Sequence, residues 1–243
     1  MVNEHVAITG ASSGLGRALA LALAHPGVTL HLAGRNAARL AEVAATARAL
    51  GATVTETLFD VTDEAGAKTW VTSCGKLDLL IANAGISVGP GKANVETLTQ
   101  IKDVFATNVE GVVNIVLPAI EAKCQTITVI GSIAGLIALP TSPAYSAAKA
   151  AIGFWVTATA PGAAREGTRL VLVRPGFVRT PMTAKNPYPM PGMMDADRAA
   201  TIILKGLAKG GPTITFPWWM GIFTRLGQLV PKRFFPALPN KPS

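Results

Sequence analysis

Charge is scarce in this chain of 243 residues: Asp, Glu, Lys and Arg make up 15% of it, against about 25% in an ordinary soluble domain. So little charge implies a surface with much apolar or neutral area, of the kind covered by a second copy or a membrane. Acids are scarcer than bases, 14 against 22, for a net charge of +8. Such an excess suits nucleic acid, anionic membranes or phosphorylated ligands. The basic residues form no run of five or more, however, so no nucleic-acid partner is expected. Cysteine is nearly absent: Cys74 and Cys124 lie far apart without C-x-x-C spacing, and read as reduced thiols of a cytoplasmic protein. The three histidines, His5, His25 and His31, all fall near the start, which excludes a Ser-His-Asp hydrolase and a His-rich metal site. No metal is expected. Nor is a signal peptide, because Val6–Thr9 begins a strand before an apolar leader could form. The longest uncharged stretch, Cys124 to Ala148, is interrupted by Gly131, Ser132, Gly135, Pro140, Thr141, Ser142 and Pro143. A strand, a loop and a helix start explain it better than a membrane span does.

What is present is a regular alternation. Val6–Thr9, Val28–Ala33, Thr53–Phe59, Leu77–Ala82, Thr126–Ile130, Leu170–Val173 and Thr213–Phe216 read as strands, several of them continuously apolar. Between them, helices are expected over Arg17–Ala24, after an Asn36 cap up to Gly51, over Leu98–Val116 and over Tyr145–Ala160. Strands buried on both faces and alternating with helices specify an α/β fold. It is a Rossmann-like, doubly wound parallel sheet flanked by helices on both faces, in a single domain over 1–243.

The loop Thr9-Gly10-Ala11-Ser12-Ser13-Gly14-Leu15-Gly16 joins the first strand to the first helix. Glycines there allow a tight turn, a close backbone approach to a pyrophosphate and tight packing of the helix on the sheet. The helix start offers N–H groups to phosphates. Alone the loop could be a structural turn; its strand–loop–helix context points to a dinucleotide. Further along, Tyr145 and Lys149 are four apart on one helix face, and Ser132 follows a strand in Gly131-Ser-Ile-Ala-Gly135. A free tyrosine ionises near pH 10, and a neighbouring ammonium favours its phenolate. Singly, Tyr-x-x-x-Lys means two surface residues and Ser132 a loop serine.

Together these features resemble the short-chain dehydrogenase/reductase family in its compact single-domain type. The resemblance rests on seven ordered motifs reaching to about Met182: Thr9…Gly16, Asp60-Val61, Asn83-Ala84-Gly85, Asn108-Val-Glu-Gly111, Ser132, Tyr145…Lys149 and Arg174-Pro-Gly-Phe-Val-Arg-Thr180. It implies that Gly10, Ser12, Ser13, Gly14, Leu15 and Gly16 hold the cofactor phosphates, and that Asp60 and Val61 lie at the adenine. Asn83, Ala84 and Gly85 would support the nucleotide side of the sheet. The catalytic set would be Asn108, Ser132, Tyr145 and Lys149. In it Asn108 supports a proton relay, Ser132 polarises the substrate, Tyr145 is general acid or base, and Lys149 binds the nicotinamide ribose and tunes Tyr145. Pro175, Gly176, Val178 and Thr180 would orient the nicotinamide. Taken singly, Asn108 could break a helix, Asp60 could sit in a turn and Thr180 could cap a helix.

After the second strand stands Gly34 with Arg35, where an NAD enzyme carries an acid for the ribose 2′-OH. NADP(H) is therefore expected over NAD(H), Arg35 pairing with a 2′-phosphate. Pro161-Gly162 is expected to end or kink the active-site helix early. Phe154, Trp155 and Val156 on that helix suggest an apolar interface in a homodimer or homotetramer. The Pro- and Met-rich segment 182–197 is expected to cover an apolar small-molecule substrate. The apolar, basic tail 217–243 could lie on a membrane surface, a neighbouring subunit or the substrate cleft. The leading expectation is a cytoplasmic NADP(H)-dependent carbonyl/alcohol oxidoreductase. Its rivals are a non-catalytic NADP(H)-binding sensor or scaffold, and a lipid reductase at a membrane surface.

Overall fold

The computed structural model describes residues 4–88, 95–186 and 189–221. Seven parallel strands form the main sheet: β1 (His5–Thr9), β2 (Thr29–Gly34), β3 (Thr53–Leu58), β4 (Leu79–Ala82), β5 (Thr126–Ile130), β6 (Arg169–Pro175) and β9 (Thr213–Phe216). Their spatial order is β3-β2-β1-β4-β5-β6-β9. Between β6 and β9 the short strands β7 (Val178–Arg179) and β8 (Met194–Asp195) pair in parallel beside the sheet.

Alternate residues of the buried strands feed two cores. Val6, Ile8, Leu30, Leu32, Val171 and Val173 pack with α1 (Gly14–Leu23), α2 (Ala37–Ala49) and α7 (Ala196–Ala208). Ala7, Leu80, Ile127, Leu170 and Leu172 face α3 (Glu64–Ser73), α5 (Gly111–Glu121) and α6 (Pro143–Arg165) on the other side. The central strands β1, β4, β5 and β6 are apolar on both faces because each face is roofed by helices, as a doubly wound parallel sheet requires, whereas the edge strand β3 keeps Thr and Glu at exposed positions. The winding reverses at β1 and β4, so a crevice opens beyond their carboxyl ends.

Several helix limits differ from the sequence reading. α1 starts at Gly14 rather than Arg17, so the last two motif glycines belong to its first turn. Asn36 caps α2 as expected, its side chain accepting from the Arg39 N–H, and Gly51 ends the helix with φ +98°. Leu50 sits at the C-cap and is exposed. The expected early end of α6 is not seen. The helix runs through Pro161 to Arg165, because it is buried from Ala144 to Ala163, against α4 at its start and against the sheet beyond, and that anchorage outweighs one missing hydrogen bond. The central helix runs from α4 (Leu98–Phe105) through a π turn (Ala106–Glu110) into α5 and carries Pro118 inside it.

Two helices have no counterpart in the sequence reading. α3 buries only Ala67, Trp70 and Val71, a weak stripe; α7 buries Ala199, Ala200, Ile203 and Leu207 at helical spacing. Cys74 and Cys124 are free and buried, and burial pushes each thiol up to about 12. Cys124 to Ala148 divides into β5, a 3₁₀ turn (Ile133–Leu136) and the start of α6. Among the described residues one helix, Leu98–Glu121, is long and apolar enough to cross a membrane, and 44% of its most apolar 18-residue stretch is buried in the fold. The tail over 217–243 lies outside the described residues beyond Gly221.

Candidate active site

The carboxyl ends of β1 to β6 all empty into one cleft of about 470 Å³. Gly10 turns the chain out of β1 with φ +65°, and a Cβ there would lie 2.9 Å from the Ala84 Cα. A Cβ at Gly16 would collide with the Gly10 carbonyl, so the first turn of α1 approaches the loop after β1 only because residue 16 is glycine. Gly14, with φ +54°, lies against the Thr180 side chain, bringing the loop after β6 over the glycine loop. Ser13, the N-cap of α1, makes no side-chain capping bond. The helix therefore begins as an uncapped set of N–H donors at the cleft wall, which suits a phosphate.

Asn83 secures this arrangement from the end of β4. Its Nδ2 donates to the Thr9 and Gly10 carbonyls at 3.0 and 3.2 Å, while its N–H donates to the Thr9 hydroxyl. At the rim beyond β2 and β3, Arg35 donates to Asp60 at 2.9 Å. Burial pulls the Asp60 pKa upward, but bonds from the Thr62 N–H, Arg35 and the Thr62 hydroxyl outweigh it, and the carboxyl sits below its ordinary value. Arg39, one turn into α2, lines the same rim.

At the other end β5 stops at Gly131-Ser132. Gly135 lets the 3₁₀ turn lie directly on α6, where a Cβ would be 2.6 Å from the Lys149 backbone. The Ser132 hydroxyl accepts from the Ala134 N–H and is hydrogen-bonded to Tyr145. Burial pushes the Tyr145 phenol up, and the bond with Ser132 pulls it the other way. Lys149 is buried; its Nζ donates to the Ile130 carbonyl at 2.8 Å and lies 5.8 Å from the Tyr145 ring centre. Burial lowers its pKa to about 8.

Nearly every residue singled out in the sequence borders this cleft: Gly10, Ser12, Ser13, Gly14 and Leu15 from the first loop, then Arg35, Asp60 and Val61. Asn83, Ala84, Gly85, Ser132, Tyr145, Lys149, Pro175, Gly176, Val178 and Thr180 complete the set. Two do not reach it. Gly16 acts from behind the wall, and Asn108 is fully buried in the π turn, where its side chain exchanges two hydrogen bonds with the Ile86 backbone. Thr107, beside it, lines the cleft instead. Sequence reading missed Thr107, Arg39 and Thr183. Thr183 donates to the Val178 and Thr180 carbonyls and to no distant element, so only its spacing from Thr180 signalled it. Among the described residues no three His, Cys, Asp or Glu side chains gather as a metal site.

Fold and cleft together define a dinucleotide-binding protein of the Rossmann type. The residues present fit such a ligand: a glycine cradle, uncapped N–H donors and a cationic rim. The family model for short chain dehydrogenases matches residues 4–189. An uncharacterised oxidoreductase of Myxococcus xanthus is 35% identical over 244 residues, covering 96% of this chain and 95% of that protein. The 11-beta-hydroxysteroid dehydrogenase-like 2 protein of Arabidopsis thaliana is 32% identical over 88% of this chain and 74% of its own. A short-chain dehydrogenase/reductase of Burkholderia phymatum, solved in complex with NAD, superposes with a TM-score of 0.83 at 25% identity, covering 94% of each chain. The chain belongs to the short-chain dehydrogenase/reductase family of oxidoreductases.

Proposed function

We propose that this chain is an NADP(H)-dependent oxidoreductase interconverting a carbonyl and an alcohol on an apolar small molecule. The observation that carries the reading is the convergence of Ser132, Tyr145 and Lys149 on the cleft shared by the glycine loop and Arg35. In this reading Tyr145 gives its phenolic proton to the substrate oxygen in reduction and takes it back in oxidation. Ser132, already bonded to Tyr145, holds and polarises that oxygen. Lys149 binds the nicotinamide ribose and, once its ammonium is solvated there, eases ionisation of the phenol. The Asn108 side chain is engaged by Ile86, so its support of a proton relay runs through the π turn it anchors. The nicotinamide, when bound, supplies or accepts the hydride.

Gly34 leaves no carboxylate to repel a 2′-phosphate, and Arg35 and Arg39 supply cations at the same rim. Asp60 shares Arg35 in the structure, so the phosphate would draw the guanidinium away from it or share it. Segment 182–197 serves as the substrate cover, of which 187 and 188 lie outside the described residues. Its C-terminal end is tied down by the β7–β8 pair and by the Arg179–Asp195 ion pair, and Gly192 packs against the Trp219 ring. Fluorescence titration with NADPH and NADH tests the reading. NADPH binds the more tightly, and Arg35→Ala weakens NADPH about tenfold or more while sparing NADH. Tighter NADH binding refutes the Arg35 assignment, and binding of neither refutes the oxidoreductase reading.

A further inference from the structure

The catalytic helix α6 begins without a cap of its own. Pro143 at its first position has no N–H, and Ser142 before it spends its hydroxyl on the Thr141 carbonyl at 2.7 Å and makes no capping bond. The missing acceptor arrives from 48 residues upstream: the Ala144 N–H donates to Glu96 Oε2 at 2.8 Å. Glu96 is buried, at 7% exposure, and its Oε1 has no partner among the described residues. A buried carboxyl group carries a desolvation cost, which its hydrogen bond to the start of α6 offsets. Its charge at a helix start is favourable. Its own backbone is held at the mouth of α4, where Thr97 and Gln100 form a reciprocal cap. Ala144, Ala148 and Val104 then pack together with Ile101, Phe105 and Tyr145 on the same seam. The residue immediately after Ala144 is Tyr145.

We propose that Glu96 is a positioning residue for Tyr145: its buried carboxylate fastens the first turn of α6 to the approach of α4, and so sets where the phenol sits against Ser132. A displacement of about 1 Å in a reacting group can cost a hundredfold in rate, which gives such an anchor its purpose. The inference rests on the role assigned to Tyr145 under the proposed function. Its test, however, needs neither substrate nor cofactor.

The chain has two tyrosines, Tyr145 and Tyr188. In the full chain carrying Tyr188→Phe, labelling with 3-fluorotyrosine leaves Tyr145 as the single fluorine signal, and its pH midpoint is read by fluorine NMR. Burial is the larger of the two influences on this phenol, so a loosened first turn that admits water lowers the midpoint. Glu96→Ala is expected to lower it by about half a unit or more. Glu96→Asp, which keeps the charge but shortens the reach, is expected to do the same, and it serves where the alanine variant does not fold. Glu96→Gln keeps an acceptor oxygen and is expected to retain the parent midpoint. An unchanged midpoint in the alanine and aspartate variants overturns the inference, as does a glutamine variant that shifts as far as alanine. NADPH titration of the parent reads the proposed function separately: absence of binding beside a Glu96-dependent midpoint would refute that function and leave this anchor standing.

Discussion

At the scale of single residues, the buried Lys149 makes stability depend on pH. Burial depresses its pKa from 10.5 to about 8, so the folded chain binds fewer protons than the unfolded chain between those values. The folding penalty is fully present below pH 8 and is relieved as pH rises from about 8 to 10.5. Urea unfolding of the parent and of Lys149→Met, compared between pH 7 and 10.5, should show the parent gaining on the order of 2–3 kcal/mol relative to the variant. A flat difference would mean that Lys149 keeps an ordinary pKa in the fold. The residues themselves were legible in the sequence, because Tyr145 and Lys149 share a helix face at any tertiary arrangement. The direction in which Tyr145 shifts was not. A nearby ammonium suggests a lowered phenol, whereas in the structure burial raises it and the Lys149 Nζ is turned to the Ile130 carbonyl. Burial depends on what packs over a residue, and no local spacing encodes that.

At the scale of elements, α6 shows tertiary packing overriding a local rule. Pro161 is exposed yet lies inside the helix, removing the N–H that would otherwise complete the ladder there. Pro161→Ala restores it without disturbing a buried contact, and is expected to stabilise the chain by about 1–3 kcal/mol in urea unfolding at pH 7. A destabilised variant would show that the helix is locally bent to suit proline. The glycine loop lies at the opposite extreme. Its strand–loop–helix setting was readable at once, because glycine has few other reasons to occupy positions of positive φ such as Gly10 and Gly14. α1 begins three residues before its sequence pattern suggests, since a glycine is a poor helix former and nothing local announces that its N–H groups serve a cleft. α3 was missed because its buried stripe is short, and the central π turn because one extra residue in a turn leaves no mark in the composition.

At the scale of the whole molecule, low charge and an exposed aromatic belong together. Phe154 is 81% exposed on the outer face of α6, and Leu117 on α5 is 45% exposed. We propose that this face joins copies of the chain into the expected homodimer or homotetramer. Phe154→Glu should then reduce the sedimenting species to a smaller one at unchanged circular dichroism. A parent that is already monomeric refutes the proposal. By itself, the sequence determined the alternation of buried strands and helices, the parallel sheet this demands, and the identity of the residues at the strand ends. These follow from periodicity and from glycine stereochemistry, which act over a few residues. Only the tertiary structure decided that six strand ends share one cleft, that Arg35 is held by Asp60, that α6 survives its proline, and that Glu96 caps a helix 48 residues away. Each of those depends on which surfaces are brought together across the sheet, and on the desolvation that follows when water is driven out between them.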